Sequence, residues 1–533
     1  MHPNGPTPAP SPTRPETSTT ERPWWQTAVV YQIYPRSFAA GDGSAHPGIG
    51  DLRGITAHLD HLTWLGVDAV WLSPVFRSPM ADFGYDISDF CDIDPVFGTL
   101  ADFDELVAAL HARGLRLILD WVPNHTSEEH PWFLESRRDR SNPKADWYVW
   151  RDQPVNNWNA AFPPGDTAWR WDDVRGQYHL RLFTPQQPDL DWDVPEVQAA
   201  MLDTLRFWLD RGVDGFRMDV VHLIGKDLTA DDPADAVAAG APHVPFNDVP
   251  VTHERLRAIR RVLDEYPGER TSVGEVYLLD EEAMTRYYGD GDELHMRFNF
   301  AFLWARATAR SLRSRISRTL DHLRPIGAQP TWALSNHDVP RHRGRHGGDE
   351  QLARVTAMLL LTLPGTPFLY QGEELGLVDA DVPADRVVDP GGRDGCRAPI
   401  PWTADEPWHG WAGEPWLPFA PEAGIRSVAA ERDDPRSMLH LYRELLALRR
   451  ATPELHGDAF EWLDADHPDG AEADVLAFAR GDVMVVLHLG DSPLDVPARW
   501  GLGGATVLGA TDSDTAAAAP NRLPGRGGFI ARR

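Results

Sequence analysis

The chain is 533 residues long and carries 51 Lys+Arg against 80 Asp+Glu, a formal net charge of −29. Such a surface repels phosphate backbones and anionic lipid head groups, which argues against nucleic-acid and membrane-surface roles. Two cysteines occur, Cys91 and Cys396, so a disulfide framework and a cysteine-rich zinc or iron–sulfur site are excluded.

Residues 1–22 are rich in Pro, Thr and Ser, without the apolar block a secretory signal needs, and are expected to form a disordered tail. No run of about 18 apolar residues occurs, so no membrane span is expected and the default location is cytoplasmic. From there, short apolar, β-branched runs recur. In chain order they are VVYQIYP (Val29–Pro35), VDAVWLSP (Val67–Pro74), LRLILDWVP (Leu115–Pro123), VDGFRMDVV (Val213–Val221), TSVGEVY (Thr271–Tyr277), LHMRFNFAF (Leu294–Phe302), PTWALSNHD (Pro330–Asp338) and TPFLYQGEE (Thr366–Glu374). Near-continuous apolar runs mark strands buried on both faces, as in parallel sheets. Helical patterns separate them: DFDELVAALHARG (Asp102–Gly114) starts acidic, carries an apolar stripe and ends in Gly, and Val197–Gly212 repeats the plan.

Eight strands alternating with helices predict an α/β fold, a (β/α)8 TIM barrel, over 23–124 and 183–450. A doubly wound sheet is the rival, but no Gly-rich dinucleotide turn follows the first strand. The long Trp-, Asn- and Arg-rich connection 125–182 predicts an inserted subdomain after strand 3. Beyond 451 short alternating runs such as Asp474–Ala479 and Asp482–Leu489 predict a C-terminal antiparallel β domain, a β-sandwich over 451–533.

In such a barrel, residues at the C-terminal strand ends converge on one site. Here those ends carry Asp120 and His125, Arg217 and Asp219, Glu275, then His337 and Asp338. Any one of these acids could be a structural ion-pair partner. Three at corresponding ends of different strands point to chemistry. Facing acids drive each other's pKa values apart, leaving one ionised and one protonated, as glycosidic cleavage requires. A metal hydrolase is the competing reading, but there is no HExxH or closely paired His motif.

With these residues in view, the sequence resembles the α-amylase superfamily of glycoside hydrolases, in its α-glucosidase and oligo-1,6-glucosidase branch. The resemblance runs from about Trp24 to the C-terminus. It rests on YQIYPRSF (Tyr31–Phe38), DWVPNHT (Asp120–Thr126), QPDLDW (Gln187–Trp192), GFRMDVVH (Gly215–His222), GEVY (Gly274–Tyr277), SNHD (Ser335–Asp338), QGEELGL (Gln371–Leu377) and GRDGCRAPIPW (Gly392–Trp402). It implies Asp219 as nucleophile, kept ionised by Arg217, Glu275 as general acid/base and Asp338 as the third acid, holding sugar hydroxyls and the distorted ring. It also implies His125 and His337 as hydroxyl ligands and Tyr85 as a stacking platform. Asp82 is implied to close the pocket with Arg397 as its ion-pair partner. A closed pocket implies an exo-acting, retaining α-glucosidase with possible transglucosylation; a glucosyltransferase or sucrose/maltose isomerase using the same site is the alternative.

No cofactor is expected. No metal is expected either, because Ala45 and Pro47 stand where a calcium-type loop would supply oxygen ligands in Gly41–Asp51. Val220, after the nucleophile, accompanies α-1,6 cleavage in relatives, while His222 and Asp191 depart from the Asn common there, so linkage preference stays open. The expected partner is a small oligosaccharide or α-glucoside, and the expected state a monomer or small homo-oligomer. The two cysteines read as structural, as do Glu373 and Glu374, while Trp147, Trp150 and Trp158 could stack sugars or pack the insertion.

Overall fold

The structure is a computed structural model and describes residues 22–463 and 474–533. The expected N-terminal tail lies outside the described residues except for Arg22, which pairs with Asp458 through Nη1 and Nη2, at 2.9 and 2.7 Å.

Eight parallel strands form the central sheet: β1 Val30–Ile33, β2 Ala69–Leu72, β3 Arg116–Trp121, β4 Gly215–Met218, β5 Thr271–Gly274, β6 Met296–Arg297, β7 Thr331–Ala333 and β8 Thr366–Tyr370. Their order is β6-β5-β4-β3-β2-β1-β8-β7, so the sheet curls round until only the β6/β7 seam lacks a backbone ladder. That seam carries a side-chain bond, Thr331 Oγ1 donating to the Arg297 carbonyl at 2.6 Å. The strands are buried almost throughout, which is why they read as unbroken apolar runs rather than alternating ones.

The flanking helices follow their local signals. The helix Leu100–Ala112 begins in a capping box: Thr99 Oγ1 accepts from the Asp102 amide and Asp102 Oδ2 accepts from the Thr99 amide. It is followed by Gly114 in the left-handed region. One expected strand is largely lost. Of Leu294–Phe302 only Met296–Arg297 is strand, because the Asn299 side chain accepts from the Phe302 amide and caps a short helix, Phe300–Leu303.

Between β3 and β4 the chain leaves the barrel and builds a three-stranded antiparallel sheet, with Gln177–Leu180 between Trp150–Arg151 and Trp169–Asp172. At the C-terminus five antiparallel strands run in the order Glu461–Trp462, Val475–Arg480, Val483–His488, Gly527–Arg532 and Thr506–Ala510. Alternation sorts their side chains. Leu476, Phe478, Val485 and Ile530 join the barrel's main core, while Val475, Ala477, Val486 and Phe529 form a second cluster with Trp500 and Leu523. The sandwich expected for 451–533 is therefore asymmetric. One full sheet uses a face to pack on the barrel, and among the described residues only a two-stranded pair, Leu494–Asp495 with Arg522–Leu523, accompanies it.

Candidate active site

Parallel register sets the site. Asp120 pairs with Arg217 across β3 and β4, and Gly274 pairs with Met218 across β4 and β5. The ladder runs one step further: the Asp219 amide donates to the Trp121 carbonyl and the Glu275 amide to the Met218 carbonyl, both at 2.9 Å. Asp219 and Glu275 thus sit at the same level on adjacent strands, whose backbones lie about 4.8 Å apart. Arg217 precedes Asp219 by two residues and so shares its face.

One guanidinium holds three carboxylates. Arg217 Nη1 donates to Asp120 Oδ1 at 2.8 Å and to Asp219 Oδ1 at 2.7 Å, while Nη2 donates to Glu275 Oε2. Burial lifts Asp219 well above the usual carboxylate range against the pull of Arg217, and Glu275 and Asp120 add to the rise. Burial likewise pushes Asp120 up to about 6, opposed by Arg217. One cation facing three acids leaves the cluster short of positive charge, so a proton is at home within it.

Tyr85 reaches the same cluster, its hydroxyl lying 3.1 Å from Asp120 Oδ2 and 2.6 Å from His337 Nε2. The two rings are nearly parallel, 6° between planes. The Tyr85 loop is tightly built. Asp86 is fully buried and accepts from the amides of Ala81 and Asp82 and from the Ser78 hydroxyl, while Met80, Phe83 and Gly84 take left-handed backbone. Burial moves the Asp86 carboxyl up to about 6. Burial also keeps both histidines neutral, His125 at about 4 and His337 at about 3. For Asp338 burial opposes ionisation, but His337, Arg393 and Arg397 outweigh it and hold the carboxyl well below its usual range. With His337 neutral, the two guanidinium groups carry that effect at neutral pH.

The closed end of the pocket requires a correction. The ion-pair partner of Asp82 is Arg393, whose Nη2 lies 2.7 Å from Asp82 Oδ1, and not Arg397. Arg393 also contacts Asp338 Oδ1 at 2.9 Å and Asp389 at 2.7 Å, so it straps together the loops after β2, β7 and β8. Arg397, fully buried one turn later, serves behind it: Nε donates to the His337 carbonyl at 2.9 Å and Nη1 to Asp389 Oδ1 at 3.0 Å.

These groups line a cavity of about 310 Å3. Asp82, Tyr85, His125, Asp219, Glu275, Asp338 and Arg393 are in its wall, together with Phe162, Phe183, Val220, Tyr277, Phe300 and Trp304. Arg217, His337 and Arg397 lie behind that wall. Sequence reasoning missed Arg393, Asp389 and the aromatic rim, and weighed Asp120 only as a strand-end acid. Trp147, Trp150 and Trp158 of the insertion do not reach the cavity. Trp150 donates to Ser136 Oγ, Trp158 stacks on His243 with ring centres 3.5 Å apart, and Trp147 packs edge-on against Trp132. Val220 adopts φ +33°, a left-handed backbone unusual for a β-branched residue, immediately after Asp219.

Asp51, at the loop where no metal is expected, accepts from the amides of Gly41 at 2.9 Å and Gly54 at 2.7 Å and caps the helix Leu52–Ala57. Cys396 donates to the Arg393 and His337 carbonyls, and burial raises its thiol to about 12. Both contacts fit a structural thiol.

Residues 32–458 match the family model described as the alpha amylase catalytic domain. The chain belongs to the alpha-amylase family. Among its relatives, a "Probable alpha-glucosidase" of Rhizobium meliloti (strain 1021) is 43% identical over 478 residues, 83% of this chain and 86% of that protein. An "Oligo-1,6-glucosidase" of Parageobacillus thermoglucosidasius is 38% identical over 81% of this chain and 84% of its own length. A crystal structure of an alpha-glucosyl transfer enzyme, XgtA, superposes with a TM-score of 0.85 at 40% identity, covering 96% of this chain and all of that one. The barrel is thus the family's fold in this chain. No helix among the described residues is long and apolar enough to cross a membrane.

Proposed function

We propose that the protein is an exo-acting, retaining α-glucosidase that hydrolyses terminal, non-reducing α-glucosidic bonds of short oligosaccharides or α-glucosides. The observation that carries this reading is the pair of acids at one level of adjacent strands, sharing Arg217, in a pocket closed at one end by the Asp82–Arg393 strap. A closed end admits one terminal sugar and leaves the bond to the next at the mouth.

Asp219 is the nucleophile. Asp219 and Glu275 share the two arms of the Arg217 fork, which suits double displacement, a mechanism that goes with a carboxyl separation of about 5–5.5 Å. Asp219 attacks the anomeric carbon and the bond to the departing oxygen breaks as Glu275 protonates that oxygen. Glu275 then takes a proton from water, whose oxygen displaces Asp219 and releases α-glucose. Arg217 stabilises the Asp219 anion before attack and after release. Asp338, held ionised, and Arg393 bind ring hydroxyls; His125 adds a neutral hydrogen-bonding partner, and Tyr85, held from behind by His337, which meets Tyr85 and Gln32 and not the sugar, offers a face to the ring. A sugar or other hydroxyl in place of water gives transglucosylation, a second reading favoured by the 40% identity to the transfer enzyme.

The deciding experiment is a panel of maltose, isomaltose, sucrose, kojibiose and nigerose, analysed for products and anomeric configuration, with Asp219→Asn as control. Free α-glucose as the first-formed product supports the hydrolase. Dominant oligosaccharide or isomer with little free glucose would move the assignment to transfer. Turnover by Asp219→Asn near wild type would sink the nucleophile assignment, since loss of a covalent nucleophile typically costs several orders of magnitude.

A further inference from the structure

A second cavity, of about 330 Å3, lies at the other end of the barrel. Its wall includes Asp68, just before β2, and Arg116, the first residue of β3, so it sits at the N-terminal strand ends, away from the catalytic acids. In a molecule of net charge −29 this wall is rich in cations. Arg116, Arg449 and Arg450 line it with His456, and Asp68 is the one acid among the described residues there.

Arg449 is buried, and backbone takes up its fork. Nη1 donates to the Leu361 and Leu363 carbonyls at 2.9 and 3.2 Å, and Nη2 to the Gly365 carbonyl at 2.8 Å, while Nε has no partner. Arg480, fully buried, likewise donates to carbonyls, those of Ala459, Thr362, Glu454, Leu455 and Gly457. Neither forms an ion pair with a carboxylate among the described residues. Burial lowers Arg449 to about 10 and Arg480 to about 9, and the charge on Arg449 adds to the fall of Arg480.

Helix capping explains part of this. The Leu361 and Leu363 carbonyls stand at the end of the helix Glu350–Thr362, and Arg450 Nη2 reaches the Gly66 carbonyl at 2.9 Å, after the helix Leu59–Leu65, and Asp68 Oδ1 at 2.8 Å. Carbonyl dipoles solvate a buried guanidinium without neutralising it. The acids nearby are already shared: Asp214 serves Arg116, Arg270 and His111, and exposed Glu269 accepts from the Trp24 amide at 3.3 Å. A buried cation without a counter-ion is costly, and an anion in the cavity supplies one.

We propose that this cavity is a binding site for a small phosphate-bearing solute, free phosphate or a sugar phosphate, separate from the catalytic pocket. Arg116 meets its carboxylate through Nη1 alone and Arg450 through Nη2 alone, so each keeps guanidinium N–H groups for phosphoryl oxygens. Arg449 adds charge from the buried side. Trp24 lies beneath Arg116, its ring centre 5.9 Å from the guanidinium carbon, and offers a flat face to a sugar ring. A volume near the lower bound of small-molecule sites, about 300–1,000 Å3, suits a monosaccharide phosphate better than a larger ligand. The inference does not depend on the glucosidase reading.

The test is calorimetric titration of the full chain at pH 7 with inorganic phosphate and with glucose 6-phosphate, each repeated in excess glucose to fill the catalytic pocket. Wild type, Arg116→Gln, Arg450→Gln, Arg449→Met and Arg393→Ala are compared, with thermal melts of each with and without ligand. One ligand is expected per chain. Arg116→Gln and Arg450→Gln, both at partly exposed positions, are each expected to weaken binding at least tenfold, as the loss of a charge contact does, and to shrink the ligand-dependent rise in melting temperature. Arg393→Ala and excess glucose should leave binding unchanged. Tighter binding of glucose 6-phosphate than of phosphate supports the sugar phosphate as occupant, and the reverse supports the free ion. Absence of binding of both ligands to wild type overturns the proposal. So does wild-type affinity in either Arg116→Gln or Arg450→Gln, or binding that Arg393→Ala or glucose abolishes, which would place the anion in the catalytic pocket. If Arg449→Met does not fold, those two variants alone decide.

Discussion

Replacing Arg217 by methionine separates the electrostatic account of the site from a purely steric one. The side chain is buried and its two Nη atoms serve Asp120, Asp219 and Glu275. Removing it strands three carboxylates in a low-dielectric pocket. A unit charge about 4 Å away at an effective dielectric near 20 is worth about 4 kcal/mol, so its loss drives the Asp219 carboxyl further up. Burial already raises Asp219, and the loss of Arg217 adds to that rise. The acid limb of kcat/KM is expected to move to higher pH, with activity at pH 7 down about a thousandfold and partly recovered toward pH 9. Breaking a buried ionic cluster on one side also costs about 3–5 kcal/mol of stability, so the melting temperature should fall. Arg217→Lys keeps the charge but not the fork. Its acid limb should stay near wild type while kcat falls. A pH–rate profile for Arg217→Met with an unmoved acid limb would refute the reasoning, whatever the loss in amplitude.

Three further outcomes follow from other parts of the structure. A double-mutant cycle on kcat/KM between Asp82→Ala and Arg393→Ala should show coupling of about 1–3 kcal/mol, well above that between Asp82→Ala and Arg397→Ala; the reverse order would restore Arg397 as the pocket-closing partner. Burial moves Glu373 up to about 8 from an ordinary 4.5, with the Tyr442 hydroxyl opposing and Glu374 adding to the rise. A raised acid contributes stability that is complete below about pH 4.5 and lost as pH rises through 8. Glu373→Gln should therefore melt above wild type at pH 8.5 and gain nothing at pH 4.5, and a gain equal at both would count against the buried-acid explanation. Val220→Gly removes a left-handed strain of about 1–2 kcal/mol while giving up about 1.5–3 kcal/mol of side-chain burial. Its melting temperature should therefore lie within a few degrees of wild type, and a collapse of the fold would show that Val220 is not strained.

Much of the barrel is legible in the sequence because strands buried on both faces must be apolar throughout, and because glycines and caps end the helices. Where a residue's own hydrogen bonding competes, the reading fails: Asn299 turns the tail of the sixth apolar run into a helix and carries Phe300 and Trp304 to the mouth of the pocket. The strand-end acids are equally legible, since register alone brings Asp219 and Glu275 to one level. Residues delivered by loops follow no such period. Arg393 and Arg397 lie four apart around a 3-10 turn, Asp394–Arg397, and both reach Asp389 and Asp338. Which one meets Asp82 is a matter of tertiary packing, and Tyr34 and Tyr370 both touch that turn. Arg397 lies over the Tyr34 ring, 5.1 Å from its centre, and the Tyr370 hydroxyl donates to the Cys396 carbonyl at 3.0 Å. With Arg397 held inward by these two aromatic residues, the outer arginine is the one left to close the pocket.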